Sequence, residues 1–436
     1  MKSRVLANTG YRLMADVGGK VGSVVLFIVM GRELGDEAFG VFTFAYALAA
    51  LLTSFADFGQ DKVLTREVAR DRDALDSYFL NTLALKAVVA LPALGVALAV
   101  LAALGRDTQT IAVVALLGAA VLVDLLTSTI FATFQAFERL EFVPVALITE
   151  RFVTAAAGIA LLLLGAGVVA VSAVFLGGAL LAFGLAARLL VRRVVRPRPR
   201  LEPSRWWSLM WIAAPIGLAG IAAVILFRID TVMLAAYESD DVVGNYGAAY
   251  RLFESTLFLS WAVGAAVLGD RVVGVLYGSD FDLAGKALRL LAPAIVLYAI
   301  AYLAGYVLVA QERPLVLTVV YAAVALENIL VNLVLIPTHS LYGAAVGTSI
   351  SEGLAACALV WAARGCGGTA RFGRVFAGPA LAAAVAGAAM WALRWELWAA
   401  TVAGAFAYVL TLIAFERLVY PDDAEALLSS VRSRRG

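Results

Sequence analysis

Apolar stretches alternate with short polar loops along the whole chain. Each stretch covers roughly 20 residues, the length that a helix needs to cross the hydrocarbon core of a bilayer. Because a span in lipid must satisfy its own backbone hydrogen bonds, we expect every span to be helical. The pattern contains thirteen such spans and no loop long enough for a separate soluble domain. The sequence therefore predicts an all-α, polytopic membrane protein.

One loop motif occurs twice in the same register. Asp36–Phe42 connects the first two spans, and Asp240–Tyr246 connects two later spans 204 positions further on. Each segment has two acidic residues, a glycine and an aromatic residue at matching positions. A duplicated bundle of membrane helices is typical of transporters whose halves move about a central cavity. The repeat therefore makes this chain a transporter candidate.

The composition agrees with a membrane protein and gives no sign of a metal or redox site. Hydrophobic residues make up 63% of the chain and charged residues 15%, whereas soluble domains carry about 25% charged residues. The two cysteines, Cys357 and Cys366, fit neither a disulfide framework nor a metal site. The first apolar stretch lacks a cleavage site and is expected to remain as a span. We expect no cofactor, no metal and no nucleic-acid partner.

Arginine and lysine concentrate in alternate loops. Basic clusters precede the first span and follow the second and sixth spans, whereas the loops with Asp36 and Asp240 carry acids. The positive-inside rule therefore places the basic loops and both termini in the cytoplasm.

Two cytoplasmic termini require an even number of spans, which conflicts with a count of thirteen. The stretch after Gly244 is shorter than its counterpart after Gly40 by about 30 residues, the size of one helix and its loop. The shortfall falls near Gly269 and Asp270. We therefore expect that one helix of the duplicated plan is missing there.

Ionisable side chains inside the spans are the main functional signal, because each costs about 2.5–3.5 kcal/mol at the membrane centre. Basic side chains that would attract an anionic headgroup such as a diphosphate are Lys20, Arg151, Arg228 and Arg251. Acidic candidates for coupling a proton or cation are Asp16, Asp230, Glu254 and Glu327. The alternative interpretation is that these charges form interhelical ion pairs that hold the bundle together. Lys86 is expected to reach a helix end rather than stay buried.

Several segments together resemble the oligosaccharide flippases, the polysaccharide transporter branch of the multidrug, oligosaccharidyl-lipid and polysaccharide exporter superfamily. The segments that carry the resemblance are Asp57–Gly59, Leu64–Arg70, Phe227–Leu234, Gly244–Tyr246, Tyr250–Glu254 and Leu276–Phe281. The resemblance covers nearly the whole chain. Its motifs identify the family better than they identify the cargo.

The resemblance implies two pseudo-symmetric six-helix lobes and two additional carboxyl-terminal helices, fourteen in all, around a cationic central cavity. On that plan residues 1–190 form the first lobe, 191–208 a basic cytoplasmic linker, 209–365 the second lobe, and 366–436 the two additional helices and a cytoplasmic tail. The implied activity is export of a lipid-diphosphate-linked oligosaccharide from the cytoplasmic to the outer leaflet of the plasma membrane. The implied partners are a polyprenyl- or dolichyl-linked oligosaccharide, membrane lipids, and glycosyltransferases or a polymerase of the same pathway.

Two other functions fit less well. A cation-coupled multidrug exporter would have the same fold, and a net-cationic cavity argues against it. A membrane glycan polymerase or ligase usually carries a large external loop, and no outer loop here is long enough. We therefore expect a transporter that performs no covalent chemistry.

Overall fold

A computed structural model describes residues 2–198, 200–255, 259–311, 313–364 and 372–419, with side chains described outside 2–21, 255, 259–261, 314, 372–375 and 416. The described ranges are helical with turns and short connections, and they contain no strand. Nine helical segments among them are long and apolar enough to cross a membrane. The prediction of an all-α polytopic protein is confirmed.

The helices follow one another with short connections. In chain order they are α1 Lys2–Asp57, α2 Gln60–Arg70, α3 Leu75–Ala103, α4 Thr108–Ala136, α5 Phe142–Leu163, α6 Val168–Leu189, α7 Trp206–Tyr237, α8 Asp240–Ser255, α9 Leu259–Tyr277, α10 Asp282–Ala310, α11 Pro314–Arg364, α12 Phe372–Ala392 and α13 Leu397–Val419.

Two of the long helices reverse direction at a single residue. Gly35 has a φ of 74° inside α1, and Ser340 has a φ of 54° inside α11. Positive φ costs little at a glycine, which has no Cβ, so the break in α1 follows from the sequence. With these two breaks, and apart from the short α2, the described helices pass fourteen times between the two ends of the bundle.

The structure differs from the sequence prediction where a helix was expected to be missing. The hydropathy pattern predicts one span over residues 246–268, but α8 ends at Ser255 and α9 occupies Leu259–Tyr277. Apolar residues continue in sequence from the end of α8 into α9, so the hydropathy pattern predicts one span instead of two. Part of the shortfall of the second half is a shorter helix, because α9 has 19 residues where α3 has 29.

The two ends of the bundle differ in charge. One, the acidic end, carries the connections with Asp36, Asp107, Asp240 and Asp280. The other, the basic end, carries the connections with Arg139, Arg193, Arg196, Arg198 and Arg200. This distribution is the one from which the sequence predicted cytoplasmic basic loops.

The two repeats of the loop motif pack against each other at the acidic end. A Cβ on Gly40 would overlap the backbone carbonyl of Asp240, and a Cβ on Gly244 would overlap the carbonyl of Asp36. The helices α1 and α8 therefore cross at backbone distance because both positions are glycine. We call this crossing the glycine contact.

Polar bonds surround the glycine contact. The Asn245 amide donates to the Asp36 carboxylate at 3.3 Å and to the Asp280 carbonyl at 3.3 Å. Arg106 forms an ion pair with Asp240 at 3.5 Å. These bonds join α1 and the connection between α3 and α4 to α8 and the connection between α9 and α10. They therefore close the acidic end between the first half (α1–α6) and the second half (α7–α11).

Replacing Gly40 by alanine is expected to destabilise the closed acidic end by about 1–3 kcal/mol, because the new methyl group meets backbone that cannot move aside. Thermal unfolding in detergent measures the effect. Gly220→Ala is the control, because a Cβ at Gly220 meets open space. Equal midpoints for the two variants would contradict the close crossing.

Asp36 lies in the connection between the first two spans, where burial raises the pKa of its carboxyl and the charges of Asp241 and Asp280 add to the rise. The folded state therefore disfavours the charged form, and its stability falls as the pH rises through the raised pKa. Asp36→Asn removes this penalty and is expected to raise the unfolding midpoint more at neutral pH than at about pH 4. The exposed Asp73→Asn is the control, and an equal gain at both pH values would contradict the assignment.

Candidate functional site

A cavity of about 480 Å³ lies between the two halves of the bundle. The first half contributes α1, α4, α5 and α6, and the second half contributes α8 and α9. Three of the predicted site residues line it, namely Arg151, Arg251 and Glu254. A polar cavity between repeats is the expected position for a transported substrate.

Arg228, Arg251 and Glu254 form one cluster, which we call the arginine cluster. The Glu254 carboxylate lies 2.7 Å from the Arg228 guanidinium and 3.4 Å from that of Arg251. Arg251 and Glu254 are one turn apart on α8, so they share a helix face, and Arg228 reaches them from α7. The cluster has a formal charge of +1 and little exposure.

Aromatic rings enclose the guanidinium groups. Arg251 lies 4.2 Å from the ring centre of Phe27 and 4.6 Å from that of Tyr46. Arg228 lies 5.7 Å from Tyr46 and 6.0 Å from Tyr250. These cation–π contacts stabilise a charge that lipid and apolar side chains cannot. The sequence prediction did not include these rings, although Tyr46 and Tyr250 are matching residues of the repeat.

A second cavity of about 380 Å³ lies on the other side of Glu254. Its walls include Arg228, Phe227, Tyr298 of α10 and Ala50 of α1. Glu254 lines both cavities, so the arginine cluster stands between them. An anion bound at the cluster has space on both sides.

The first-half wall of the larger cavity carries acids that were not among the predicted site residues. Asp124 of α4 and Glu150 of α5 both line it beside Arg151, and their charges interact. The described lining charges are therefore two arginines and three carboxylates. The expected net-cationic cavity is absent among these side chains, because positive charge concentrates at the arginine cluster and negative charge on the opposite wall.

Lys86 is fully buried, so the expectation that it would reach a helix end was wrong. Its ammonium group lies 2.9 Å from Asp57 and 2.7 Å from Asp61, and it donates to the Ser128 hydroxyl at 3.1 Å. Thr129 also donates to Asp61, at 2.8 Å. The partners come from α1, α2 and α4, and sequence spacing gives no sign that these helices meet at Lys86.

Asp230 and Glu327 do not line either cavity. Asp230 is fully buried and accepts hydrogen bonds from Tyr246, from the Thr231 amide at 2.7 Å and from Thr348 at 3.2 Å. Glu327 accepts from the Ser351 hydroxyl at 2.8 Å. Both carboxylates lie inside the second half of the bundle. Asp16 and Lys20 belong to α1, and their side chains lie outside the described residues.

The family profile described as "Polysaccharide biosynthesis protein" matches residues 5–268, more than half of the chain. The chain belongs to the polysaccharide biosynthesis protein family. The matched region contains both loop repeats and the whole arginine cluster. No curated protein sequence matches the chain.

Solved structures of transporters share the fold of this family member. Lipid II flippase MurJ in an inward closed conformation aligns with a TM-score of 0.73 at 12% identity, over 93% of this chain and 98% of that one. An inward-facing multidrug resistance MATE family transporter aligns with a TM-score of 0.63 at 13% identity, over 79% of this chain and 93% of that one. A MOP superfamily transporter from Pyrococcus furiosus aligns with a TM-score of 0.56 at 14% identity, over 83% of this chain and 94% of that one. At these identities the alignments establish the fold alone.

Lys86→Met is expected to destabilise the protein by about 3–5 kcal/mol, because it leaves Asp57 and Asp61 without their buried countercharge. Thermal unfolding in detergent measures the loss. Lys62→Met is the matched control, because Lys62 is an exposed lysine on α2, the helix that carries Asp61. An unchanged midpoint for Lys86→Met would show that the ion pairs do not stabilise the first half.

Proposed function

We propose that this chain is a flippase that moves a lipid-diphosphate-linked oligosaccharide between the leaflets by alternating access. The observation that carries the proposal is the arginine cluster, which lies between two cavities at the junction of the two halves. Guanidinium groups bind phosphate oxygens through paired hydrogen bonds. The family's link to polysaccharide biosynthesis supports a glycan as the cargo.

Glu254 occupies the place of an anion between the two arginines. Its contact with Arg251 is 3.4 Å, longer than its 2.7 Å contact with Arg228. A diphosphate carries more negative charge than one carboxylate and competes with Glu254 for Arg251. The displaced carboxylate is then available to a proton or cation, which gives a direct route from substrate binding to ion coupling. Asp230, Glu327 and Asp16 remain further coupling candidates.

The direction and location of transport belong to the same proposal. The positive-inside rule places the basic end and both termini in the cytoplasm, and the closed acidic end then faces outward. The substrate enters from the cytoplasmic leaflet of the plasma membrane with its lipid tail in the bilayer. Glycosyltransferases that build the glycan supply it, and the flippase changes no covalent bond.

A cation-coupled multidrug exporter is the second candidate function. Asp124 and Glu150 favour it, because two interacting carboxylates on one cavity wall attract a cation. A drug exporter would depend on these carboxylates, whereas a flippase would depend on the arginine cluster. The two functions are therefore separable by substitution.

Arg251→Met is expected to weaken binding of farnesyl diphosphate to the purified protein by roughly 10- to 100-fold, because a charged hydrogen bond contributes about 1.5–3 kcal/mol. Arg251→Lys retains the charge but not the planar fork and is expected to lose less. Calorimetric titration measures both, with the exposed Arg66→Met as control.

The same titration separates the two candidate functions. Unchanged farnesyl diphosphate binding in Arg251→Met would contradict the flippase proposal. If Asp124→Asn instead abolishes binding of the cationic dye ethidium while Arg251→Met has no effect, the drug exporter is supported.

A further inference from the structure

Three tyrosines form a continuous row along one face of α10. Tyr298, Tyr302 and Tyr306 are spaced four residues apart, the spacing that places side chains above one another on a helix. The ring centres of Tyr298 and Tyr302 lie 5.8 Å apart, and those of Tyr302 and Tyr306 lie 4.8 Å apart. The hydroxyls of Tyr302 and Tyr306 are 2.9 Å apart. We call this row the tyrosine ladder.

The first tyrosine of the ladder, Tyr298, faces the space between the two halves. Tyr298 lines the smaller cavity together with Arg228 and with Ala50 of the first half. Its ring packs edge-on against Phe227, the neighbour of Arg228, with the centres 5.3 Å apart. The ladder therefore starts beside the arginine cluster.

The repeat gives the next tyrosine, Tyr302, a counterpart in the first half. Tyr298 and Tyr302 lie as far from the start of α10 as Asp124 and Ser128 lie from the start of α4. Asp124 and Ser128 both line the larger cavity. The pseudo-symmetry therefore supports the same orientation for Tyr302, toward the space between the halves.

The ladder continues from the cavity toward the basic end. Tyr306 lies four residues before α10 ends at Ala310, and the side chains of Tyr302 and Tyr306 are 46% and 57% exposed. With a rise of 1.5 Å per residue, the three rungs extend about 12 Å along the helix. This length exceeds that of a single sugar ring.

We propose that the tyrosine ladder binds the saccharide part of the cargo while the arginine cluster holds its diphosphate. The proposal rests on the flippase function and specifies how the glycan is held. A sugar ring has apolar C–H faces and a rim of hydroxyls. Tyrosine matches both, since it offers a flat apolar ring and a polar hydroxyl on a side chain with only two rotatable bonds.

The ladder fits a glycan better than it fits the membrane surface. Tyrosines collect at the lipid–water interface, where the ring is apolar and the hydroxyl is wet, and Tyr306 alone would satisfy that description. Tyr298, however, lies about 18 Å from the end of α10 and lines a cavity with a charged arginine. A continuous row of tyrosines from that depth to the helix end fits contact with a bound glycan better than an interfacial band of aromatic residues.

Two probes that share a tail and a diphosphate test the proposal. Farnesyl diphosphate lacks a sugar, and farnesyl-diphosphate-linked N-acetylglucosamine carries one. Binding of both is measured by calorimetric titration of the purified full chain and of its variants Tyr302→Ala, Tyr302→Phe and Tyr306→Phe. Tyr237→Ala is the control, because Tyr237 is an exposed tyrosine at the opposite end of the bundle.

Tyr302→Ala is expected to weaken binding of the glycosylated probe by about tenfold and to leave farnesyl diphosphate binding unchanged. The phenylalanine variants keep the ring and lose the hydroxyl, so their expected loss is about threefold. If Tyr302→Ala fails to fold, the two phenylalanine variants test the proposal in its place.

Equal losses for both probes would assign the ladder to the lipid tail and overturn the saccharide proposal, while the flippase function would stand. Unchanged binding of the glycosylated probe in all three tyrosine variants would also overturn it. Wild-type protein that binds neither probe would overturn the flippase function and the ladder together.

Discussion

The ion cluster of Arg228, Glu254 and Arg251 is the interaction on which the rest of the site depends. A lone charge in the hydrocarbon region is costly, and a triad is stable only where each group has a partner. Glu254 bonds both arginines, and the rings of Phe27 and Tyr46 cover Arg251. One glutamate therefore keeps two cations at the centre of a membrane protein, and both cations also contact Tyr46 of the first half.

The glycine contact gives that cluster its position. Gly40 and Gly244 let α1 and α8 cross at backbone distance at the acidic end, about two to three turns before Arg251 and Glu254 on α8. The two cavities meet at the charged residues of α7 and α8. At the basic end Phe58 and Gly59 pack on Gly217 of α7, and Lys86 joins α2 to α4. The halves thus touch at both ends in this conformation, with the cavities between them, and alternating access requires each contact to separate in turn.

The sequence was informative where a local pattern determines structure and uninformative where distant helices meet. Matching acids and glycines at Asp36–Phe42 and Asp240–Tyr246 predicted two related halves, and Arg251 and Glu254 were visible as charges in a span. The break between α8 and α9 was not visible, because hydropathy is continuous across residues 246–268. The burial of Lys86 depends on Asp61 from another helix. The position of Asp124 and Glu150 opposite the arginines depends on tertiary packing.

We predict that substrate binding at the arginine cluster changes the balance between opening at the basic end and opening at the acidic end. Double electron–electron resonance tests it directly, with spin labels at Leu164 and Tyr237 across the acidic end and at Arg70 and Leu315 across the basic end, all exposed positions. Addition of farnesyl-diphosphate-linked N-acetylglucosamine is predicted to lengthen one distance and shorten the other. Two distances that stay unchanged at saturating ligand, or that change in the same direction, would contradict alternating access about this cluster.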